Sequence, residues 1–309
     1  MEPFVSSAES NDCRLVLGTA QLGLAYGIAN TTGQLGKATA IEIVREAWDN
    51  GIREFDTAQG YGKSESVLGK VLSELGLSEK ARIVSKFDPN LDHLNASVLS
   101  KSLDESLRRL GVQSLFGMML HREEMLSLWD EGLAEILDDF VSSGRIRNVG
   151  VSVYSPDKAV QALNTEGVAM VQLPANVFDR RFENVCVFQL ADEKKKKVYI
   201  RSIFLQGLLL MQPEEIPPRM AFARPVLQEF ESLSNDLGLK RQEIALGYVK
   251  SQTPHAKIVL GADTPEHVRE NRRCWDKNPP SSLVPTVRKY FDEVDERILN
   301  PSLWPDRCE

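Results

Sequence analysis

Phe55-Asp56-Thr57-Ala58-Gln59-Gly60-Tyr61-Gly62-Lys63-Ser64-Glu65 sets an acid at the end of a predicted strand, a phenol in the turn after it and a helix start at Ser64. Lys86 ends the apolar run at 83–86 and His121 follows the run at 115–120, so the next two strands also finish on titratable residues. Short apolar runs alternate with helical periodicity along the chain, the mark of repeated strand-helix units. This reading predicts strands at 15–17, 53–56, 83–86, 115–120, 148–151, 169–172, 198–202 and 257–260. Between them, Thr39 with Glu42 reads as a capping box, and Ser64 as the cap of a helix whose apolar face is Val67, Leu68, Val71, Leu72 and Leu75. Gly111 closes a helix carrying Leu99, Leu103, Leu107 and Leu110, and Ser155-Pro156 and Thr264-Pro265 are cap-then-proline starts.

Eight such units in about 250 residues fit a single-domain (β/α)8 TIM barrel, a parallel sheet closed by right-handed crossovers. A doubly wound open sheet is the alternative, but Leu17-Gly18-Thr19-Ala20-Gln21-Leu22-Gly23 does not form its Gly-x-Gly-x-x-Gly turn. The expected organisation is an N-terminal tail at 1–12, a barrel at 13–275, and a C-terminal extension at 276–309, helical over 284–299, that packs on the barrel. The proline-rich stretch 211–218 reads as a loop after the seventh strand.

The 309 residues carry 37 Lys and Arg against 44 Asp and Glu, a formal net charge of −7. That balance argues against an undirected nucleic-acid or anionic-membrane partner and leaves a small molecule. No apolar run approaches the roughly 20 residues of a membrane span, and residues 1–12 lack a signal-peptide pattern, so a cytoplasmic location is expected. Cys13, Cys186, Cys274 and Cys308 are widely spaced and read as free thiols, and the four scattered histidines predict no metal site. No heptad seam sets an oligomeric state.

In a barrel, Asp56, Lys86 and His121 share the C-terminal strand ends, where such folds place their chemistry. An ammonium favours a phenolate, so Lys86 is expected to lower the pKa of Tyr61 from its reference of about 10. Asp56 would hold Lys86 charged and oriented, and His121 would donate a hydrogen bond to a substrate carbonyl or to the tyrosine oxygen. The set suits proton delivery to an oxygen that becomes an alkoxide, as when a carbonyl accepts a hydride. Lys86 alone would suit a Schiff-base lyase. Taken singly, Asp56 and Lys86 read as solvated loop residues or halves of a structural ion pair, and Tyr61 and His121 as core residues; their joint spacing favours a site.

Phe55-Asp56-Thr57-Ala58, Tyr61-Gly62-Lys63-Ser64-Glu65, Leu68-Gly69, Ser85-Lys86, Leu120-His121, residues 144–152, Val171-Gln172, Gly261-Ala262 and Glu270-Asn271, in that order, resemble the aldo-keto reductase family over residues 13–275. The resemblance implies a catalytic tetrad of Asp56, Tyr61, Lys86 and His121, with Tyr61 the general acid in reduction and the base in oxidation. It places nicotinamide-cofactor contacts at Gly18, Thr19, Ser152, Gln172, Arg201, Ser202, Gly261, Ala262, Asp263, His267, Glu270 and Asn271. Ser152 and Gln172 match the carboxamide-binding positions, but Val153 stands where the family usually has asparagine. Arg201 stands where an aromatic ring commonly stacks on the nicotinamide. A guanidinium can stack too, and brings charge for an anionic substrate or the pyrophosphate; the plainer reading is an ion pair with Asp179 or Glu183.

The resemblance puts the adenosine end at 260–271, where a helix start can take a phosphate. Gly261 and His267 occupy positions that are often basic in NADP-preferring members, Asp263 adds a negative charge, and Arg269, Arg272 or Arg273 would have to compensate. NADP(H) is favoured from the family habit, with NAD(H) left open. The implied activity is NAD(P)H-dependent reduction of an aldehyde, ketone or sugar carbonyl to the alcohol, or the reverse; the alternative is a cofactor-binding sensor or regulatory protein with slow turnover. Residues 18–30 resemble a bacterial branch associated with sugar and surface-polysaccharide metabolism. Loops 26–34, 121–130 and 206–223 are expected to wall the pocket, with Tyr26, Phe87, Trp129 and Phe178 as rim candidates.

Overall fold

A computed structural model describes residues 13–30 and 33–305; the expected tail and Cys308 lie outside the described residues. Eight parallel strands close on themselves in sequence order, as the alternating pattern predicts. They are β1 (Leu15–Gly18), β2 (Glu54–Asp56), β3 (Arg82–Lys86), β4 (Gly117–Leu120), β5 (Val149–Ser152), β6 (Val168–Pro174), β7 (Lys197–Arg201) and β8 (Lys257–Gly261). Gly18 stands beside Asp56 on one side and Gly261 on the other, and Ser152 beside Gln172.

Successive strand residues point to opposite faces, and this alternation decides what fills the barrel. Val16, Val84, Met119, Met170 and Tyr199 form one apolar cluster, separate from the larger core between barrel and helices. Two residues further along the same strands come Gly18, Lys86, His121, Gln172 and Arg201. The titratable groups therefore form the next inward layer, at the C-terminal mouth. Gly117 and Gly150 make room for the layer below, since a Cβ at either would crowd Met170.

The helices bury the stripes their periodicity predicts. Lys37–Asp49 buries Ala40, Ile43, Val44 and Ala47. It starts before Thr39, because Ala40 N–H already bonds to Gly36 O, so the expected capping box does not form. Ser64–Glu74 buries Leu68, Val71 and Leu72, but Ser64 is its first residue and not its cap. The Ser64 hydroxyl instead donates to Thr19 O at 2.7 Å and lies 2.9 Å from Thr57 Oγ1. Ala96–Leu110 is capped by Asn95 and ends at Gly111, whose φ of 68° suits glycine. The pattern at 284–299 breaks into Leu283–Tyr290 and Glu296–Leu299. Phe291 leaves the helix between them to pack on Phe178 and Phe230, at centroid distances of 4.7 and 6.0 Å. Phe178 is thereby a core residue, as is Phe87, and neither reaches the pocket rim. Among the described residues no helix is long and apolar enough to cross a membrane.

The short helix Ala20–Gly23 packs against the turn that carries Tyr61, and a Cβ at Gly23 would overlap Tyr61 O and Ser64 N. Gly23→Ala should therefore cost about 1–3 kcal/mol of stability, read by urea unfolding. Gly36→Ala, where a Cβ meets nothing within 4 Å, should stay within about 0.5 kcal/mol; equal losses in the two variants would refute the close-contact explanation.

Candidate functional site

Lys86 is fully buried at the end of β3, and its ammonium donates to both oxygens of Asp56, at 2.9 and 2.7 Å, and to Thr57 O at 3.0 Å. Tyr61 Oη lies 3.4 Å from the same nitrogen. Gln172 reaches across the mouth from β6 and donates to Asp56 Oδ1 at 2.7 Å, so the amide expected to meet a carboxamide also braces the acid. The Tyr61 turn is held by Thr19, whose N–H and hydroxyl both donate to Asp56 O at 2.9 Å. The His121 ring stands edge-on to Tyr61, with centroids 5.6 Å apart at 80°.

Burial raises the Tyr61 pKa, and the Asp56 carboxylate raises it further. The expected lowering by Lys86 does not prevail against burial and the Asp56 carboxylate. Burial also pushes Lys86 down, opposed by the charge and hydrogen bonds of Asp56. Burial and the neighbouring Lys86 and Arg201 lower His121 to about 3, and its Nδ1 is buried without a partner. At neutral pH the site therefore holds a protonated phenol and an uncharged imidazole beside the Lys86–Asp56 contact.

A groove of about 400 Å3 opens over this layer. Of the residues singled out in the sequence, Gly18, Thr19, Asp56, Tyr61, Gln172, Arg201, Ser202, Gly261, Asp263, His267, Glu270 and Asn271 line it. Lys86 is buried beneath the lining and the partly exposed His121 is not among the lining residues, while Ser152 and Ala262 are buried and do not face the groove. Tyr26 is at the rim as expected, but Trp129 packs beside Gly167, away from the groove.

Gln206 and Gly207, in a loop expected to wall the pocket, also line the groove, as does Gln21, which sequence reasoning missed. Ser202, Leu205 and Gln206 supply three of the five non-glycine residues with positive φ among those described, and Gly207 follows at 96°. Such backbone concentrates at functional sites, yet apart from Gly207 no residue type here announces it. Ile28 N–H donates to Gln206 O at 3.0 Å, tying the loop after β1 to this segment.

Arg201 does not pair with Asp179 or Glu183. Arg181 occupies Asp179 at 2.9 Å, and Glu183 accepts from Tyr248 and Arg288. The Arg201 guanidinium instead lies 4.0 Å over the Tyr154 ring and donates to Val153 O and Ser202 Oγ, each at 3.3 Å. Tyr154 was not anticipated as a partner.

At the other end of the groove, Thr264 caps the helix Pro265–Asp276 by accepting from His267 N–H. Burial raises the Asp263 pKa, and one of its oxygens is buried without a partner. Arg269 is engaged by Glu46 and Glu266, Arg272 by Asp276 and Asn50 O, and Arg273 does not line the groove. The compensating cation expected here is therefore absent among the described lining residues.

Comparison with known proteins is consistent with this geometry. Aldo-keto reductase YhdN of Bacillus subtilis (strain 168) is 30% identical over 209 residues, covering 63% of this chain but only 60% of that relative. The NADH-specific methylglyoxal reductase of Escherichia coli (strain K12) is 27% identical over 316 residues, covering 91% and 95%. An aldo-keto reductase from Klebsiella pneumoniae, solved with NADPH, superposes with a TM-score of 0.69 at 20% identity, over 90% of each chain, a likeness of fold. The family model described as Aldo/keto reductase family matches residues 14–290, from the start of β1 past the helix that follows β8. That match spans the whole barrel, and the chain belongs to the aldo/keto reductase family.

Proposed function

We propose that this chain is an NAD(P)H-dependent oxidoreductase that reduces an aldehyde, ketone or sugar-like carbonyl to the alcohol, or runs the reverse, with Tyr61 as general acid and base. The observation that carries the reading is the fully buried Lys86 ammonium, bonded to both Asp56 oxygens and 3.4 Å from Tyr61 Oη. The groove suits a dinucleotide: an unpartnered buried oxygen of Asp263 stands at one end, Tyr61 and Gln172 at the other, and Gly18, Gly207 and Gly261 line the path between. Thr19, Gln172, Ser202 and Asn271 are the side chains that would hold it. Bound there, the cofactor supplies the hydride.

The remaining work falls to this chain. Tyr61 gives its phenolic proton to the carbonyl oxygen as negative charge develops on it, and takes the proton back in oxidation. A raised pKa keeps that proton in place at neutral pH. Transfer still proceeds, because an alkoxide is a stronger base than a phenolate, and Lys86 stabilises the phenolate left behind. Asp56 and Gln172 hold Lys86 in position. Uncharged His121 bounds the phenol and can bond the same substrate oxygen without adding charge. The nucleotide is NADP(H) first, on the NADPH-bound relative, and NAD(H) second, on the NADH-specific relative and on Asp263.

Tyr61→Phe should lower kcat by about 10²–10⁴-fold while the NADPH dissociation constant, followed by fluorescence, changes by less than about twofold; undiminished turnover would sink the mechanism. Asp263→Ser should improve NADPH binding relative to NADH by about fivefold or more, and an unchanged ratio would remove Asp263 from the adenosine end. Because folded His121 titrates at about 3 against its ordinary 6.5, the unfolded chain binds the extra proton between those values. The stability His121 contributes is thus present above pH 6.5 and lost as pH falls toward 3. Urea unfolding at pH 7 and pH 4.5 should show a smaller acid loss for His121→Gln than for the parent; equal losses would contradict a neutral buried imidazole.

A further inference from the structure

Charges along the groove are unevenly placed. Arg201 is the single arginine or lysine among its described lining residues, which also include Asp56, Glu215, Asp263 and Glu270. Asp56 is cancelled by Lys86. No carboxylate comes within ion-pair distance of Arg201 among the described residues, and its bonds are to one carbonyl and one hydroxyl. A half-buried guanidinium with donors to spare, facing a cavity, is an anion receptor in search of its anion.

Its orientation says which anion. The side chain rises from the end of β7 and leans across β6 toward β5, where Val153 O and the Tyr154 ring hold it. It is turned away from β8 and from the helix start at Pro265, and toward the phenol. Its charge is felt at Tyr61, His121, Lys86 and Tyr26. The Tyr154 ring lies under the guanidinium, and Tyr26 and Tyr61 are near enough to feel its charge.

We propose that Arg201 is the substrate's anion receptor: the carbonyl compound reduced at Tyr61 carries a carboxylate or phosphate group that the Arg201 guanidinium binds. The inference rests on the reductase reading for its carbonyl, but the anion site is testable without turnover. Binding the anion fixes the far end of the substrate, so the carbonyl meets Tyr61 in one pose. It also makes specificity a matter of charge, since a neutral analogue leaves the guanidinium unpaired.

The test uses matched pairs: succinic semialdehyde against butanal for a carboxylate, and glyceraldehyde 3-phosphate against glyceraldehyde for a phosphate. The parent protein should favour the anionic member of at least one pair in kcat/KM, and which pair identifies the group. In Arg201→Gln the anionic-to-neutral ratio should fall by about tenfold or more, and Arg201→Lys should restore part of it. No anionic preference in the parent, or a parallel fall for both members of each pair with weaker NADPH binding, would overturn the proposal in favour of a cofactor contact. Calorimetric titration with malonate and inorganic phosphate gives an independent readout. Binding of either that weakens about tenfold in Arg201→Gln supports the receptor even where no carbonyl is turned over, an outcome that would fail the reductase reading alone. Binding of neither to the parent overturns the receptor even where turnover is normal.

Discussion

The buried pair of Lys86 and Asp56 is the constraint around which the mouth of this barrel is arranged. Such a pair adds little net stability, but removing one partner leaves a charge stranded away from water at a cost of about 3–5 kcal/mol. Both groups must therefore arrive together, and they do so because β2 and β3 run in register, with Asp56 beside Val84 and Lys86 two residues further on. The pair is further committed by Gln172 from β6 and by Thr57 O. Slipping any of these strands by one residue would turn its polar end into the outer apolar layer.

The opposite end of the barrel solves a similar problem. Glu54, inward-facing and buried at the start of β2, accepts from Tyr199 Oη at 2.8 Å and pairs with Lys257 at 2.9 Å. Two polar layers thus close the barrel, with Val16, Val84, Met119 and Met170 between them. Tyr199 joins both, its ring in the apolar layer and its hydroxyl on Glu54. The middle layer keeps water from reaching the mouth through the interior, so the ammonium beside Tyr61 acts in a medium of low polarity. The knot of Thr19, Thr57 and Ser64 hydroxyls does the same mechanical work for the turn, fixing the Tyr61 backbone to β1 and β2.

The fold was legible because alternation leaves a strong trace: eight apolar runs with helical segments between them, three ending on Asp56, Lys86 and His121. Those ends fall on one layer by geometry alone. Less legible was anything set by direction. Ser64 has the residue type of a cap, but tertiary packing turns its hydroxyl to Thr19. Gln172 has the position of a cofactor contact and an amide that also serves Asp56. Phe87 and Phe178 are aromatic and close to strand ends, yet the core claims both. The left-handed backbone at Ser202, Leu205 and Gln206 is not reported by residue type. The sign of the shift at Tyr61 is illegible for a related reason, since burial sets it first and the Asp56 carboxylate second.

That sign changes what the site is for. A phenol made acidic by a free ammonium would lose its proton before the substrate arrived, and its phenolate would repel developing negative charge. Here Asp56 takes the ammonium first, and burial keeps Tyr61 protonated. The proton then leaves only toward a stronger base, such as an alkoxide formed within reach, and Lys86 stabilises the resulting phenolate at the moment it exists. The same cancellation silences the tetrad as a long-range attractor, because Asp56 and Lys86 sum to zero and His121 is uncharged. Whatever net field draws a ligand to this end of the groove must then come from a group outside the tetrad, and Arg201 is the one cation lining the groove among the described residues. Proton delivery and charge recognition are thereby assigned to different residues, so either can be altered by mutation while the other is measured.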